Sequence, residues 1–330
     1  MKLLFNIGGT NIGNKEFKDL LGYIDADIKF DNLRPDVITA TKDVISIIGK
    51  PIYDYAFTHY SAAMVVDLEN EDYLFVRAIQ YAVAVNAYML YAPSNDLSHT
   101  NDGRKMRNDE HEKNPFEWMI DRDNKNAEKR YYRALDDLIF FLNNTEIVAL
   151  KTLWIASDEY KAVKSLFINT VADFNRFYNI ESSLLLMKIA PGIRECERRE
   201  IVSRIGVIKY NFIKTAILTD KTSTLIVSDQ TLLDLCQELC ANYALAWALP
   251  RFSVTLFPEG VLQYQNSDRM STQAKKPALF NEPELARQTF ANNAKRIAIE
   301  IENFVKPAPA IDETIEINPK IITGATHFST

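Results

Sequence analysis

Two of the four histidines lie close to acidic residues, and such groups are the side chains best suited to metal or acid–base chemistry. His99 and His111 share one polar stretch with Asp102. Common metal sites place their ligands at fixed intervals, as in a helical HxxxH pair or an EF-hand loop. Neither interval occurs in this stretch, and His59 and His327 are far away in sequence. The residues therefore predict a solvated polar loop and no metal site.

The segment Asn6-Ile7-Gly8-Gly9-Thr10 has a composition suited to phosphate binding, because glycine turns bring backbone N–H groups close to phosphate oxygens. It resembles the phosphate loop of sugar kinases of the actin and hexokinase superfamily, in which an aspartate before the glycines helps to hold the metal. Asn6 occupies that acidic position here, and no second phosphate loop follows. An ordinary turn is the preferred interpretation. A sugar-kinase-type enzyme acting through this loop is the alternative of a different class.

Nucleophilic chemistry has little support in the sequence. The three cysteines, Cys196, Cys236 and Cys240, form no CxxC pair, and no G-x-S-x-G sequence occurs. Cys236 and Cys240 are one helical turn apart and would need two further ligands to hold a metal, but no histidine is near them. We therefore expect reduced core cysteines, no catalytic residues and no cofactor.

Composition limits the class of protein. The 330 residues are 47% hydrophobic, with only ten glycines and twelve prolines, which favours a mostly helical protein with ordinary cores. No apolar run is long enough to cross a membrane, so we expect a soluble protein made in a cytoplasm. The net charge of −6 argues against a protein whose main task is to bind phosphate backbones.

The apolar spacing predicts a series of helices. Pro35 and Pro191 are each placed in the first turn of a helix, since proline is tolerated there. Residues 71–91 form an alanine-rich helix expected at the centre of its unit, and residues 2–7 alternate weakly, as an edge strand would. Long polar loops are predicted at 93–114 and 250–281, and further helices at 115–143, 159–177, 191–218, 228–249 and 282–305.

One pattern of apolar residues and Pro/Gly positions occurs twice. The stretch from Leu33 through Pro35 to Gly49 recurs about 157 residues later as Ile189, Pro191 and Gly206. This indicates a tandem duplication, which must be considered before any short motif. The predicted fold is mainly α, with two tandem, structurally related helical bundle units at 1–150 and 151–306 and an extended tail at 307–330.

The tail and one tryptophan are the predicted partner contacts. After Val305 the segment Pro307-Ala-Pro309 ends the helix, and the remaining residues are too poor in apolar side chains to fold alone. We expect this tail to contact an adjacent subunit or ring, with Ile315 and Ile317 adding a strand to an exposed edge. Trp118 is the best single interface anchor, since Trp is enriched at interfaces. The predicted interface residues are Trp118, Ile315, Ile317, Ile321 and Ile322.

Several segments together suggest a family. Phe174-Asn-Arg-Phe-Tyr-Asn-Ile, Ile189-Ala-Pro-Gly-Ile-Arg-Glu and Ser98-His-Thr-Asn-Asp-Gly103 are similar to sequences of structural proteins from tailed phages and prophages of gut Bacteroides-type bacteria, including crAss-like phages. Those proteins resemble head-to-tail connector subunits. The resemblance covers about residues 15–143 and 160–306.

The resemblance implies an α-helical portal adaptor that joins capsid to tail in the virion. It would form a ring, expected to contain twelve copies, below the portal protein. Its partners would be the portal, neighbouring copies of itself and a further neck or tail protein. DNA would pass through the channel as non-specific cargo, which suits a mildly acidic lining. Another neck or tail-completion protein is the alternative within the same class. An adaptor of this kind is not an enzyme and has no membrane contact.

Overall fold

The computed structural model of this chain describes residues 2–6, 12–24, 28–61, 66–100, 103–106, 116–252 and 281–306. Helices make up most of these residues, which confirms the predicted mainly α fold. Among the described residues, the only strands are Leu97–Thr100 (β1) and Gly103–Met106 (β2). They pair antiparallel, with Leu97 opposite Met106.

The helices of the first half end in a long helix that leads to the second half. In chain order they are α1 (Ile12–Leu21), α2 (Phe30–Ile48), α3 (Lys50–His59), α4 (Glu71–Asn95) and α5 (Glu117–Asn144). The loop predicted at 93–114 is wrong in part, because α4 continues to Asn95 and the β1–β2 hairpin follows it.

The second half contains more and shorter helices. They are α6 (Val148–Ala156), α7 (Asp158–Lys164), α8 (Val171–Asn175), α9 (Ser183–Cys196), α10 (Val202–Ile205), α11 (Val207–Leu218), α12 (Val227–Ala248) and α13 (Asn281–Val305). A π-helical turn, Glu197–Ile201, joins α9 to α10, and a short 3-10 turn, Thr222–Thr224, precedes α12.

Some predicted helix boundaries are wrong for identifiable reasons. Pro35 and Pro191 both lie inside a helix rather than at its start, since α2 begins at Phe30 and α9 at Ser183. The helix predicted at 191–218 is broken at Gly206, and the one at 159–177 is split into α7 and α8. The described residues 2–6 form no strand, and Leu4 and Phe5 are instead buried among helices.

The first hydrophobic core surrounds α4. This helix packs against α1, α2, α3 and α5, so it lies at the centre of its unit as predicted. Its alanines permit close approach, and Ala82, Ala84 and Ala87 are fully buried. The same core takes in Leu150 and Trp154 of α6.

The second hydrophobic core surrounds α12 in a similar way. Helices α9 and α13 pack on either side of α12, and the core begins with Val163 and Leu166. The boundary between the two cores therefore lies a little after residue 150, where the boundary between the units is predicted. Asp136 of α5 links this helix to the start of α9, since its Oδ1 accepts hydrogen bonds from Leu184 N at 2.8 Å and Ser182 Oγ at 3.0 Å.

Several contacts occur at corresponding places in the two halves. The buried Gln80 side chain donates to the carbonyl of Leu4 at 2.6 Å, and the buried Gln237 side chain donates to that of Phe167 at 2.9 Å. Gln80 and Gln237 are separated by the same interval as Gly49 and Gly206. The predicted duplication pairs the two glycines but not the two glutamines, and it stays a prediction.

Among the described residues, no single helix is both long and apolar enough to span a membrane. The one combination that meets both criteria joins Trp118–Asn144 to Val148–Ala156 across a bend of 107°.

Candidate functional site: an exposed apolar helix face

The outer side of α11 exposes large apolar side chains. The sequence of this helix, VIKYNFIKTAIL, has apolar residues on every side, a pattern typical of a buried helix. One side is nevertheless open to solvent, with Ile208 89% exposed and Phe212 53% exposed. We call this surface the α11 face, and its residues are Val207, Ile208, Phe212 and Leu218. Exposed apolar side chains grouped in this way are typical of interaction surfaces.

The inner side of α11 is held by polar contacts. Glu197, only 3% exposed, accepts hydrogen bonds from Phe167 N at 2.6 Å and from Tyr210 Oη at 2.9 Å. It also forms an ion pair with Lys214, whose side chain is largely buried. Ile213 completes this inner side in the core. Helix α11 thus carries apolar side chains on both sides, since Ala216 and Ile217 also lie in the core while Ile208 and Phe212 are exposed.

The π-helical turn explains how a carboxylate comes to lie in the core. The interval from Pro191 to Gly206 is one residue longer than the interval from Pro35 to Gly49. A π turn accommodates one extra residue in a helix, and such turns are frequent at functional positions. Glu197 begins this turn. The extra residue therefore lies in the turn that contains Glu197, the residue that anchors the inner side of α11.

The start of α12 extends the α11 face. Lys209 of α11 forms an ion pair with the buried Asp229 of α12 at 2.5 Å. This contact brings the first residues of α12 next to α11, and both Ile226 and Val227 are exposed there, Val227 by 78%. Exposed apolar side chains therefore occur on both of the elements that this ion pair joins. Patches of this kind on soluble proteins mark interaction sites.

The corresponding helix of the first half lacks this property. Helix α3 follows Gly49 as α11 follows Gly206, and it buries Ile52, Tyr53 and Ala56. Its outer side carries an ion pair between Lys50 and Asp54. Helix α6 packs against α3 as well. The exposed apolar surface therefore belongs to the second half.

The cysteines lie in the core of the second half. The three cysteines are buried and free, which confirms their prediction as core residues. Burial raises the pKa of the Cys236 and Cys240 thiols, so they stay protonated and are poor nucleophiles. No group of three or more His, Cys, Asp or Glu residues in this part of the chain is arranged to hold a metal ion.

The predicted chemical residues of the N-terminal and loop segments have mixed positions. Gly8, Gly9 and Thr10 lie outside the described residues, as do His111 and His327. His59 lies at the end of α3, where its ring stacks on Tyr55 at 4.5 Å between centroids and its Nδ1 is 3.5 Å from Asp72 Oδ2. This is an ordinary surface arrangement.

Trp118 lies in the first turn of α5. Its side chain is 39% exposed, and the guanidinium of Arg122 lies over its ring at 5.1 Å. Phe116 and Met119 are also exposed, so the start of α5 carries a second, smaller apolar surface. The other predicted interface residues, Ile315, Ile317, Ile321 and Ile322, lie outside the described residues, as does most of the predicted loop 250–281.

Sequence reasoning missed the α11 face because it extended one helix through Gly206. A continuous helix from Pro191 to Leu218 gives no reason to examine its last twelve residues separately. The available signal was the composition of residues 207–218. An apolar helix of this length in a polar surrounding is either buried or covered by a partner.

Comparison with known proteins gives one match. A family described as a family of unknown function (DUF6712) matches residues 46–162 and 206–305, more than half of the chain. The second matched stretch begins at Gly206 and includes α11, α12 and α13. No curated protein and no solved structure matches the chain.

Proposed function

The chain belongs to the DUF6712 family, and we propose that it is a structural protein of a phage virion, a head-to-tail connector subunit that forms a ring below the portal. In this role it joins capsid to tail, and DNA passes through the ring as non-specific cargo. Its partners are the portal protein, neighbouring copies of itself and a further neck or tail protein. It is made in the host cytoplasm and functions at the portal vertex.

The α11 face is the observation that carries this proposal. Val207, Ile208 and Phe212 are exposed on a helix whose inner side is fixed by Glu197. A rigid, preformed apolar surface loses little conformational entropy when a partner covers it, which favours association. A subunit of a closed ring needs such a surface because each copy must contact the next one.

The surface at Phe116 and Trp118 supports the same role. It lies at the start of α5, which belongs to the first core, whereas the α11 face belongs to the second. A connector must contact more than one kind of neighbour. Two separate apolar surfaces on two different cores meet this requirement.

Particle imaging or native mass measurement of the protein, with and without the portal protein, tests the proposal. Twelve copies of the 37.7 kDa chain would give a ring of about 450 kDa. A connector that assembles on its template is expected as a monomer alone and as a ring on the portal. A strict monomer under both conditions would overturn the proposal.

A matched pair of variants links assembly to the α11 face. The double variant Ile208→Ser, Phe212→Ser should abolish ring formation, because it removes exposed apolar contacts without touching the core. The control Leu68→Ser replaces an equally exposed apolar residue of the first half. It should assemble as the wild-type protein does. Equal assembly of both variants would show that the α11 face is not an interface between subunits.

The two alternatives have their own discriminating tests. A neck or tail-completion protein would form cross-links to tail proteins and none to the portal. A kinase-type enzyme would bind nucleotide as a purified protein, and a Gly9→Val substitution would remove that binding.

A further inference from the structure

In the first half of the chain, the helix that begins after Gly49 contacts the segment that follows the last helix, although Lys50 and Pro51 on its outer side stay exposed. Helix α6 returns after α5 through only three residues, 145–147, and packs against both α5 and α3. Leu150 and Trp154 of α6 are buried, and the Trp154 indole donates to Asn143 Oδ1 at 2.9 Å. The segment after the last helix of this unit thus packs against the helix that begins after Gly49.

The end of α13 lies near the start of α11. Arg204 Nε and Glu302 Oε1 form an ion pair at 2.9 Å, and Arg204 is two residues before Gly206. Helix α13 also packs against α10. The chain therefore leaves its last described helix close to the α11 face. Residues 307–330 come next in sequence, and they correspond in order to the segment that forms α6.

We propose that the α11 face of one subunit binds residues 307–330 of a neighbouring copy, with Ile315, Ile317, Ile321 and Ile322 as the apolar contacts. This inference rests on the proposed ring, since it requires adjacent copies. It assigns the tail to a helix face rather than to a sheet edge. The only strands in the described residues, β1 and β2, belong to the first half.

The prolines of the tail favour a contact between copies over a contact within one copy. Residues 145–147, which reverse the chain before α6, contain no proline, whereas Pro307 and Pro309 follow α13 almost at once. Proline fixes its own φ and holds the preceding residue in an extended conformation. Proline-rich segments extend by roughly 3.1 Å per residue. We therefore assign the tail to a neighbouring copy.

The chemistry of the two surfaces is complementary. The tail offers isoleucines to an apolar face, and its acidic residues lie between and before them. Lys221, just beyond α11, is exposed, whereas Lys209 already pairs with Asp229. In a ring, each subunit would give one tail and receive one, which is a head-to-tail contact that closes on itself. The acidic residues of the tail are Asp312, Glu313 and Glu316.

Disulfide cross-linking between differently labelled full-length chains tests this inference. Ile208→Cys in one chain and Ile317→Cys in another, mixed and assembled on the portal, should yield a covalent dimer under mild oxidation. The native cysteines are buried and should not contribute. Leu68→Cys in place of Ile208→Cys serves as the matched control and should give no dimer, because Leu68 is exposed on the first half.

The outcomes separate this inference from the proposed function. If wild-type chains form no ring on the portal, the proposed function fails. One cross-link for each adjacent pair of Ile208→Cys and Ile317→Cys chains sets the expected amount of dimer. If the ring forms but the amount of dimer is at least tenfold lower than this, only the tail assignment fails. A double variant with Ile208→Cys and Ile317→Cys in one chain provides a further check. Cross-linking within single chains of this variant, with no dimer in the mixture, would also overturn the assignment.

Discussion

Gly49 and Gly206 adopt the same left-handed backbone conformation between two helices. Their φ and ψ angles are 86° and 149° at Gly49 and 78° and 153° at Gly206. Each glycine ends one helix and begins the next, so each bends the chain at the corresponding place in its half. At Gly206 this bend is what separates α11 from the helix before it and turns its apolar face outward.

Replacement of Gly206 by alanine should destabilise the protein through backbone strain alone. A Cβ at this position meets no atom within 4 Å, so packing does not oppose the change. A non-glycine residue in this region of φ and ψ costs on the order of 1–3 kcal/mol. Urea unfolding should show a loss of this size for Gly206→Ala and a change near zero for Ser203→Ala, an exposed position on α10. Equal stability of the two variants would show that the backbone conformation at position 206 does not require glycine.

Among the polar residues of the second core, Glu197 should be the one whose substitution lowers the free energy of unfolding most. Glu197→Ala leaves Lys214 without its ion-pair partner and leaves the N–H of Phe167 without an acceptor. Removing one partner of a buried pair costs about 3–5 kcal/mol. Glu200→Ala, which breaks the more exposed pair with Arg204, should cost less than about 1 kcal/mol. Denaturant unfolding measures both, and similar losses would show that Glu197 is not the anchor of α11.

The two sides of α11 should respond differently to the same substitution. Ile213→Ala removes a fully buried side chain and should cost about 2–5 kcal/mol, through lost burial and the cavity that remains. Ile208→Ala alters an exposed side chain and should change the free energy of unfolding of the monomer by no more than about 0.5 kcal/mol. Thermal unfolding of both variants, together with their assembly state, checks this. A large loss of monomer stability in Ile208→Ala would mean that its side chain is buried.

The sequence predicts the helical class and the arrangement around α4 well, because those depend on apolar spacing within single helices. Val37, Val44 and Ile48 of α2, for example, lie on one buried side. The positions of Pro35 and Pro191 inside helices were not predictable, since tertiary packing outweighs the local cost of a proline. The α11 face depends on Gly206 and on one extra residue in a π turn. Both are features that a helical pattern does not reveal.

Asp136 should make the contact between α5 and the start of α9 sensitive to pH. Burial raises its pKa above the ordinary 3.8, although hydrogen bonds from Leu184 and Ser182 act in the opposite direction. A carboxyl group with a raised folded-state pKa favours folding most when protonated. Its contribution is present below the unfolded value of 3.8 and is lost as the pH rises through the folded pKa.

Asp136→Asn cannot ionise and still offers an oxygen to Leu184 N. Relative to this variant, the wild-type protein should therefore lose stability as the pH rises from about 3.8 through the raised pKa. Urea unfolding of both proteins across this range measures the difference. Asp137→Asn, at the neighbouring exposed position, should show no such trend. A wild-type protein that gained stability relative to Asp136→Asn over the range would reverse the sign and contradict the prediction.

Trp118 should contribute to partner binding and little to folding. Its side chain is partly exposed in the first turn of α5, next to the exposed Phe116 and Met119. Substituting a tryptophan at the centre of an interface by alanine typically costs about 2 kcal/mol or more, which corresponds to about a 30-fold loss of affinity. Trp118→Ala should therefore bind the portal protein about 30-fold more weakly while its melting temperature stays close to that of the wild type.

Phe140→Ala, an exposed aromatic position near the other end of α5, is the control and should bind normally. Fluorescence provides a direct check, because Trp154 is buried and Trp247 packs against the second core, so binding at Trp118 should shift the emission of the wild-type protein but not of Trp118→Ala. Unchanged affinity in Trp118→Ala would remove this residue from the interface.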